Sequence, residues 1–160
     1  MQLTGKQIAA EGIVYNYDAE KGIQQQGIDV RVAAIYHLVG AGEVGCKGTK
    51  IPDAYEVVTC EGKYILDPGY YEVKLMEGVD VPNNATLHFK TRSSLVRCGA
   101  QVYSGQFDAG FNTEQAGCFI HVMRQIKIER HARIAQAIVF RSDEVDNTYD
   151  GQFQNDKQRK

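Results

Sequence analysis

Apolar and polar residues alternate along much of the chain, and the alternation predicts strands. Ile28, Val30 and Val32 alternate with Asp29 and Arg31, the period-two pattern of a strand with one apolar face. Tyr71, Val73 and Leu75 alternate in the same way with Tyr70, Glu72 and Lys74. That strand and a shorter one at residues 64–66 flank Asp67-Pro68-Gly69, a turn sequence. Pro82-Asn83-Asn84 is a further turn, and Ala85 to Lys90 a strand that feeds into Arg92. Residues 117–123 read as a strand, and Ala132 to Phe140 as the strongest in the chain. In it Ile134, Gln136, Ile138 and Phe140 share one face. A glutamine inside such a row, once buried, requires hydrogen-bond partners from a ligand or a neighbouring strand. The clearest helix signal is Thr4-Gly5-Lys6-Gln7, which has the form of a capping box and predicts a short helix ending near Gly12.

Residues 40–53 are rich in glycine and lack periodicity, so they read as a long loop or a hairpin excursion. No G-x-x-x-x-G-K-[ST] string is present there. Many short strands, frequent turns and few helices indicate one all-β domain over residues 1–160, a sandwich, barrel or jelly-roll. From Arg141 the chain is polar apart from Tyr149 and Phe153, and it ends Asp156-Lys157-Gln158-Arg159-Lys160. Residues 141–160 are expected to be mobile, either as a disordered terminus or as a lid over an anionic ligand.

Composition narrows the function classes. With 160 residues and 43% hydrophobic content, the chain can bury one core. A net charge of −2, with no basic block before the last residues, does not indicate a nucleic-acid-binding surface. No apolar run has the length to span a bilayer, and Met1-Gln2-Leu3-Thr4 does not open a signal peptide. Cys46, Cys60, Cys98 and Cys118 lack C-x-x-C spacing. The simplest expectation is a cytoplasmic protein with reduced thiols, not a zinc or disulfide framework.

The candidate chemistry lies in Thr91-Arg92-Ser93-Ser94-Leu95-Val96-Arg97 and in Phe107-Asp108-Ala109-Gly110-Phe111. Arg92 can fork two N–H donors onto phosphate oxygens, and Ser93 and Ser94 add short neutral donors. If the segment opens a helix, its free N–H groups also favour an anion. Asp108 offers a carboxylate to orient a water, in a turn whose glycine lets backbone approach a ligand. Phosphate donors followed by an acid point to phosphate-ester hydrolysis. The plainer alternative is a serine N-cap followed by a surface hairpin. Asp29, likewise, is either part of an ordinary strand or a second acid supporting the site or its metal.

Taken in order, these strings resemble the trimeric dUTPase and dCTP deaminase superfamily over most of the chain. Met-x-Leu-Thr-x-x-x-Ile at the start, Gln26-Gly27-Ile28-Asp29-Val30-Arg31 and Tyr64-Ile65-Leu66-Asp67-Pro68-Gly69 carry the first part. Arg92-Ser93-Ser94-Leu95, Phe107-Asp108-Ala109-Gly110-Phe111, Arg133-Ile134-Ala135-Gln136 and Tyr149-Asp150-Gly151-Gln152-Phe153-Gln154 complete it. The resemblance implies a distorted β-barrel or jelly-roll subunit with a short N-terminal helix. It also implies a homotrimer with active sites at subunit contacts, and a deoxynucleoside triphosphate carrying Mg²⁺ on its phosphates. It makes Arg92 and Ser93 phosphate contacts with Ser94 as the neighbouring serine of the motif, and puts Gln136 near the α-phosphate and the waters of the metal. Asp108 then binds the 3′-hydroxyl and holds the attacking water, Phe111 packs on the deoxyribose, and Asp29 supports the site and, with Gln136, the metal. Tyr149 and Phe153 belong to the closing segment.

Two chemistries occur in that superfamily. Deamination needs a glutamate on the strand after Asp108 to move protons. That slot falls on or beside Val122, or on Cys118 if no gap is allowed, and Glu114 and His121 are the nearest substitutes. Water attack at phosphorus needs only a positioned water, an acid, cations and a metal. The stretch Val102-Tyr103-Ser104-Gly105-Gln106-Phe107 resembles the dUTPase segment whose backbone reads uracil, with Ser104 and Gly105 as its small pair. Such fixed groups reject cytosine, whose donors and acceptors are reversed. The expectation is therefore a dUTP diphosphatase. Arg97, which matches an arginine that deaminases keep, supports the alternative of a dCTP deaminase or a bifunctional enzyme. Gln152 stands where a lysine is usual, and Lys157, Arg159 or Lys160 are the cations that can replace it. With the altered hairpin, that substitution motivates a third reading, a nucleotide-binding regulator without catalysis.

Overall fold

A computed structural model describes residues 1–154. The strands are β1 (Val14–Tyr15), β2 (Ile23–Gln24), β3 (Gly27–Val39), β4 (Glu43–Gly45), β5 (Gly48–Lys50), β6 (Asp53–Glu56), β7 (Lys63–Leu66) and β8 (Gly69–Leu75). They continue with β9 (Gly78–Asp80), β10 (Ala85–Thr91), β11 (Ala100–Tyr103), β12 (Asn112–Thr113), β13 (Gly117–Val122), β14 (Ile126–Glu129) and β15 (Arg133–Arg141). Helix α1 (Gly5–Ala10) starts at the expected capping box, in which Thr4 and Gln7 satisfy each other. Helix α2 (Ser93–Arg97) has Arg92 at its N-cap position with no side-chain cap bond, so neither serine caps it.

The main sheet runs β10-β15-β3-β8-β13-β11, with β2 and β6 also paired to β3, and every ladder is antiparallel. Its two ends turn back towards each other. The Val102 N–H donates to Thr91 Oγ1 (2.9 Å), the Thr91 hydroxyl donates to Val102 O (3.2 Å), and Leu87 forms an isolated bridge with Phe107. The sheet is thus a nearly closed barrel, the all-β architecture expected, and closure leaves little free edge. Inside it Ile28, Val30, Val32, Ile35, Val73, Leu75, Leu87, Ile120 and Val139 are fully buried. The small sheet β1-β9-β12 and helix α1 add Ile8, Ile13, Val14 and Val79 to the same core.

Three local readings change. Residues 27–39 form one long strand, because β6 extends the pairing of β3 beyond the alternating stretch. Strands β7 and β8 flank Asp67-Pro68-Gly69 but do not pair; β7 joins β14, and β8 joins β3 and β13. In β15 the period was legible but its inward side was not. Ala135, Ala137 and Val139 pack into the core, while Gln136, Ile138 and Phe140 face away from it. The inward side of β15 is thus made of two alanines and a valine, side chains small enough for the strand to sit close to the core. Residues 43–50 are the hairpin β4-β5, one of the two readings of the glycine-rich stretch.

Candidate active site

The first group of candidate residues gathers on Asp29. In the ladders, Lys90, Gln136 and Asp29 form one row across β10, β15 and β3. Asp29 is 1% exposed, and a carboxylate at that depth is tolerated only with strong partners. It has three. Arg92 Nε lies 3.2 Å and Arg133 Nη1 3.1 Å from Oδ2, and Gln136 Nε2 donates to Oδ1 at 3.3 Å. Gly27 makes room for this: a Cβ there would fall 2.6 Å from Gln136 Cγ.

Backbone groups fix the same cluster. Arg92 N donates to Ile134 O (3.1 Å), and Arg92 Nη1 to Arg133 O (3.2 Å). Arg133 Nη1 also donates to Lys21 O at 2.8 Å. Ser93, Ser94 and Arg97 follow on α2 with exposed side chains, and Ser94 shares a groove of about 350 Å³ with Arg133, Leu95, Lys63 and Lys127. The half-exposed guanidiniums and the serine hydroxyls together suit an anion with several oxygens. Both oxygens of Asp29 are engaged by nitrogen donors, and through them the carboxylate holds Arg92, Arg133 and Gln136 together. Gln136 gives its amide N–H to Asp29 and keeps its carbonyl as an acceptor. Among the described residues no group of three or more His, Cys, Asp and Glu side chains could hold a metal ion.

The second group lies elsewhere. Gly105, Phe107, Phe111, Tyr149 and Phe153 line a cavity of about 330 Å³, together with Glu72, Cys118, Phe119 and Ile51. Phe107, Phe111 and Tyr149 stand edge to face in series, at centroid distances of 5.2 and 5.4 Å. Asp108 is exposed at the mouth of the hairpin, where Gln106 Nε2 donates to its Oδ1 at 2.7 Å. Ser104 Oγ accepts from Phe89 N at 3.4 Å and so ties this segment to β10.

The tail through Gln154 is seated on the same hairpin. Tyr149 N donates to Ala109 O (2.8 Å), Asn112 N to Gln154 Oε1 (3.0 Å) and Gln154 Nε2 to Gly110 O (2.9 Å). Lys157, Arg159 and Lys160 lie outside the described residues.

Strand β10 separates the two groups. Phe107, beside Asp108, pairs with Leu87, whereas Arg92 lies five residues beyond Leu87, about 16 Å along an extended strand. Within one chain the structure does not bring Arg92 and Asp108 together.

The deaminase slot carries no acid. Val122 is fully buried, and Cys118 is a buried thiol that desolvation pushes up to about 12. Glu114 is exposed near Tyr15, whose hydroxyl donates to Thr113 O and whose pKa is raised by burial first and by Glu114 second. His121 is exposed on β13. Sequence reasoning missed Arg133, Glu72 and Ile51. Arg133 stood in plain view in Arg-Ile-Ala-Gln, but its place on Asp29 follows from the β15–β3 pairing, which the sequence does not show. Nothing in the sequence put Glu72 or Ile51 at the cavity.

The profile of the dCTP deaminase-like family matches residues 2–142. A protein of Archaeoglobus fulgidus named probable deoxyuridine 5′-triphosphate nucleotidohydrolase is 32% identical over 152 residues, which are 92% of this chain and 90% of the relative. A Methanocaldococcus jannaschii protein named deoxyuridine 5′-triphosphate nucleotidohydrolase is 35% identical over 136 residues, 82% of this chain and 86% of the relative. The crystal structure of 2′-deoxycytidine 5′-triphosphate deaminase from Agrobacterium tumefaciens superposes with a TM-score of 0.63 at 17% identity. The superposition covers 86% of this chain but only 47% of that one, and it bears on the fold alone.

Proposed function

The chain belongs to the dCTP deaminase-like family, and on that premise we propose that it hydrolyses dUTP to dUMP and pyrophosphate. The observation that carries the proposal is the buried Asp29, which holds two guanidiniums beside two exposed serines in a chain about one third identical to named dUTP nucleotidohydrolases. Arg92, Ser93 and Ser94 bind the phosphate oxygens, and Arg97 stands next to them on α2. The cavity lined by Gly105, Phe107 and Phe111 takes the uracil and the deoxyribose, with Ser104 fixing the backbone that reads the base. Asp108 orients a water and accepts its proton as the oxygen attacks the α-phosphorus and the bond to the bridging oxygen breaks. Mg²⁺ enters as part of the substrate, on the phosphates, where it neutralises the charge on the departing pyrophosphate. Gln136 suits it, since its free carbonyl can accept from a metal-bound water.

The distance between Arg92 and Asp108 supports a homotrimer in which one subunit provides the phosphate cluster and its neighbour the hairpin. Residues 141–160 are the closing segment, with Tyr149 and Phe153 over the nucleoside.

A second reading, dCTP deamination, alone or with hydrolysis, draws on Glu72, a carboxylate on the wall of the cavity. Incubation with Mg²⁺ and either dUTP or dCTP separates the two. Pyrophosphate from dUTP alone is the expected result. Ammonia from dCTP, lost in Glu72→Gln, would replace the first reading by the second.

A further inference from the structure

The barrel carries an arm that its core does not use. Strands β3 and β6 pair as far as Val39 and Asp53, which stand directly opposite each other, and a two-residue turn closes such a ladder. The chain instead inserts residues 40–52, most of them in the hairpin β4-β5. None of these residues joins the buried core, and Val44 on the hairpin is 90% exposed. Connections this long are uncommon in compact domains and usually serve binding. The whole arm is exposed except its last two residues, Ile51 and Pro52. Ile51 is the one aliphatic side chain on the wall of the aromatic cavity among the described residues, and Phe153 of the tail lines the same cavity. The base of the arm is held in place. Asp53 is already in the ladder with β3, and Gly42 packs on Pro52, where an added Cβ would fall 3.4 Å from Pro52 Cδ. Ile51 is thus a fixed part of the rim, whereas Phe153 arrives with the docked tail.

We infer that the arm is a rim of the nucleoside cavity and that Ile51 is a specificity-determining contact, packing against the C5–C6 edge of the pyrimidine and limiting what fits there. The inference rests on the proposed nucleotide reading. In that reading backbone groups near Gly105 take the polar edge of the base, with its N3–H and a carbonyl. The C5–C6 edge has no hydrogen-bonding atoms, and an aliphatic side chain can face it without leaving a polar group unsatisfied. Isoleucine is also stiff about χ1, so it yields little to an added methyl group.

The test measures binding of non-hydrolysable α,β-imido-dUTP and of its 5-methyl counterpart by titration calorimetry in Mg²⁺ buffer. The proteins are the parent, Ile51→Val, Ile51→Ala and a chain in which an Asn-Gly turn replaces residues 40–52. The parent is expected to prefer the unsubstituted base. Ile51→Ala narrows that preference about tenfold, chiefly by tighter binding of the 5-methyl compound, and Ile51→Val falls between. The arm replacement narrows it at least as much and keeps the parental melting temperature. Should that chain fold poorly, the two point variants still decide, since Ile51 is half-buried and outside the core. An unchanged preference in Ile51→Ala or in a folded arm replacement, equal losses on both compounds, or a parent without preference would overturn the inference. Failure of the nucleotide reading looks different. If the parent discriminates through Ile51 yet releases no pyrophosphate from dUTP, the contact stands and the proposed reaction falls.

Discussion

The two halves of the candidate site are built on opposite principles. Around Asp29 the carboxylate and the two guanidiniums are each held by two or three contacts, and the register of β10, β15 and β3 puts Lys90, Gln136 and Asp29 in one row. Around Asp108 the walls are aromatic rings, glycines and a docked tail, with few bonds to the barrel. Phosphate recognition gains from donors that are already in place, since no reorganisation is needed when charge arrives. A nucleoside must enter and leave, and a site closed by a tail on an aromatic hairpin can open at low cost. On the proposed reading, the densely bonded half handles charge and the sparsely bonded half admits the nucleoside.

The contrast can be broken most severely at Asp29. Asp29→Ala leaves two guanidiniums without their counter-charge and is expected to cost about 3 kcal/mol or more in stability, together with most dUTP turnover. Urea unfolding of the variant at the parental midpoint would show that the cluster is not a structural unit. On the compliant side, Asp108→Asn should leave stability unchanged and lower kcat by about 10² to 10⁴-fold, with nucleotide binding retained. Parental hydrolysis by that variant would remove Asp108 from the mechanism.

Mixing tests whether the two halves meet between subunits. Arg92→Ala and Asp108→Asn are each expected to be inactive, yet unfolded and refolded together in equal amounts they should recover about a quarter of parental activity, the statistical share of intact sites in a ring. No recovery in mixed oligomers would mean that both residues serve from one chain.

A smaller effect is expected at Gly110, which has φ +84° and where a Cβ would lie 2.5 Å from the Cβ of Thr148. Gly110→Ala should cost about 1–2 kcal/mol, loosen the tail and raise KM more than it lowers kcat. Limited proteolysis near residues 142–148 reads the loosening, and an unchanged digestion rate would count against it.

The least effect belongs to the rigid half's second buried acid. Burial raises the pKa of Glu77 despite bonds from Arg31 that act to lower it. A raised folded value means that this group favours the folded state most below the ordinary carboxylate range, and that the contribution fades as pH rises through the shifted value. The melting temperature of Glu77→Gln, followed across weakly acid pH, should lose that part of the slope; an identical slope would show that Glu77 does not titrate there.

Period-two alternation identified the first part of β3, β8 and most of β15, because side chains on a pleated strand alternate by covalent geometry. The capping box at Thr4 was equally local and equally legible. Arg92, Ser93, Ser94, Asp108 and Gln136 stood out since their chemistry belongs to their residue types. What the sequence could not contain was the pairing. Whether Gln136 faced inward, whether β7 paired with β8, and that Arg133 shares a carboxylate oxygen with Arg92 all depend on registers between strands far apart in the chain, 107 residues for Gln136 and Asp29. Those registers follow from how the whole barrel fills its interior. A one-residue slip reverses every side chain, so the candidate residues were determined by the sequence, and their division into a braced arginine–carboxylate cluster and an aromatic, tail-covered pocket by the tertiary structure alone.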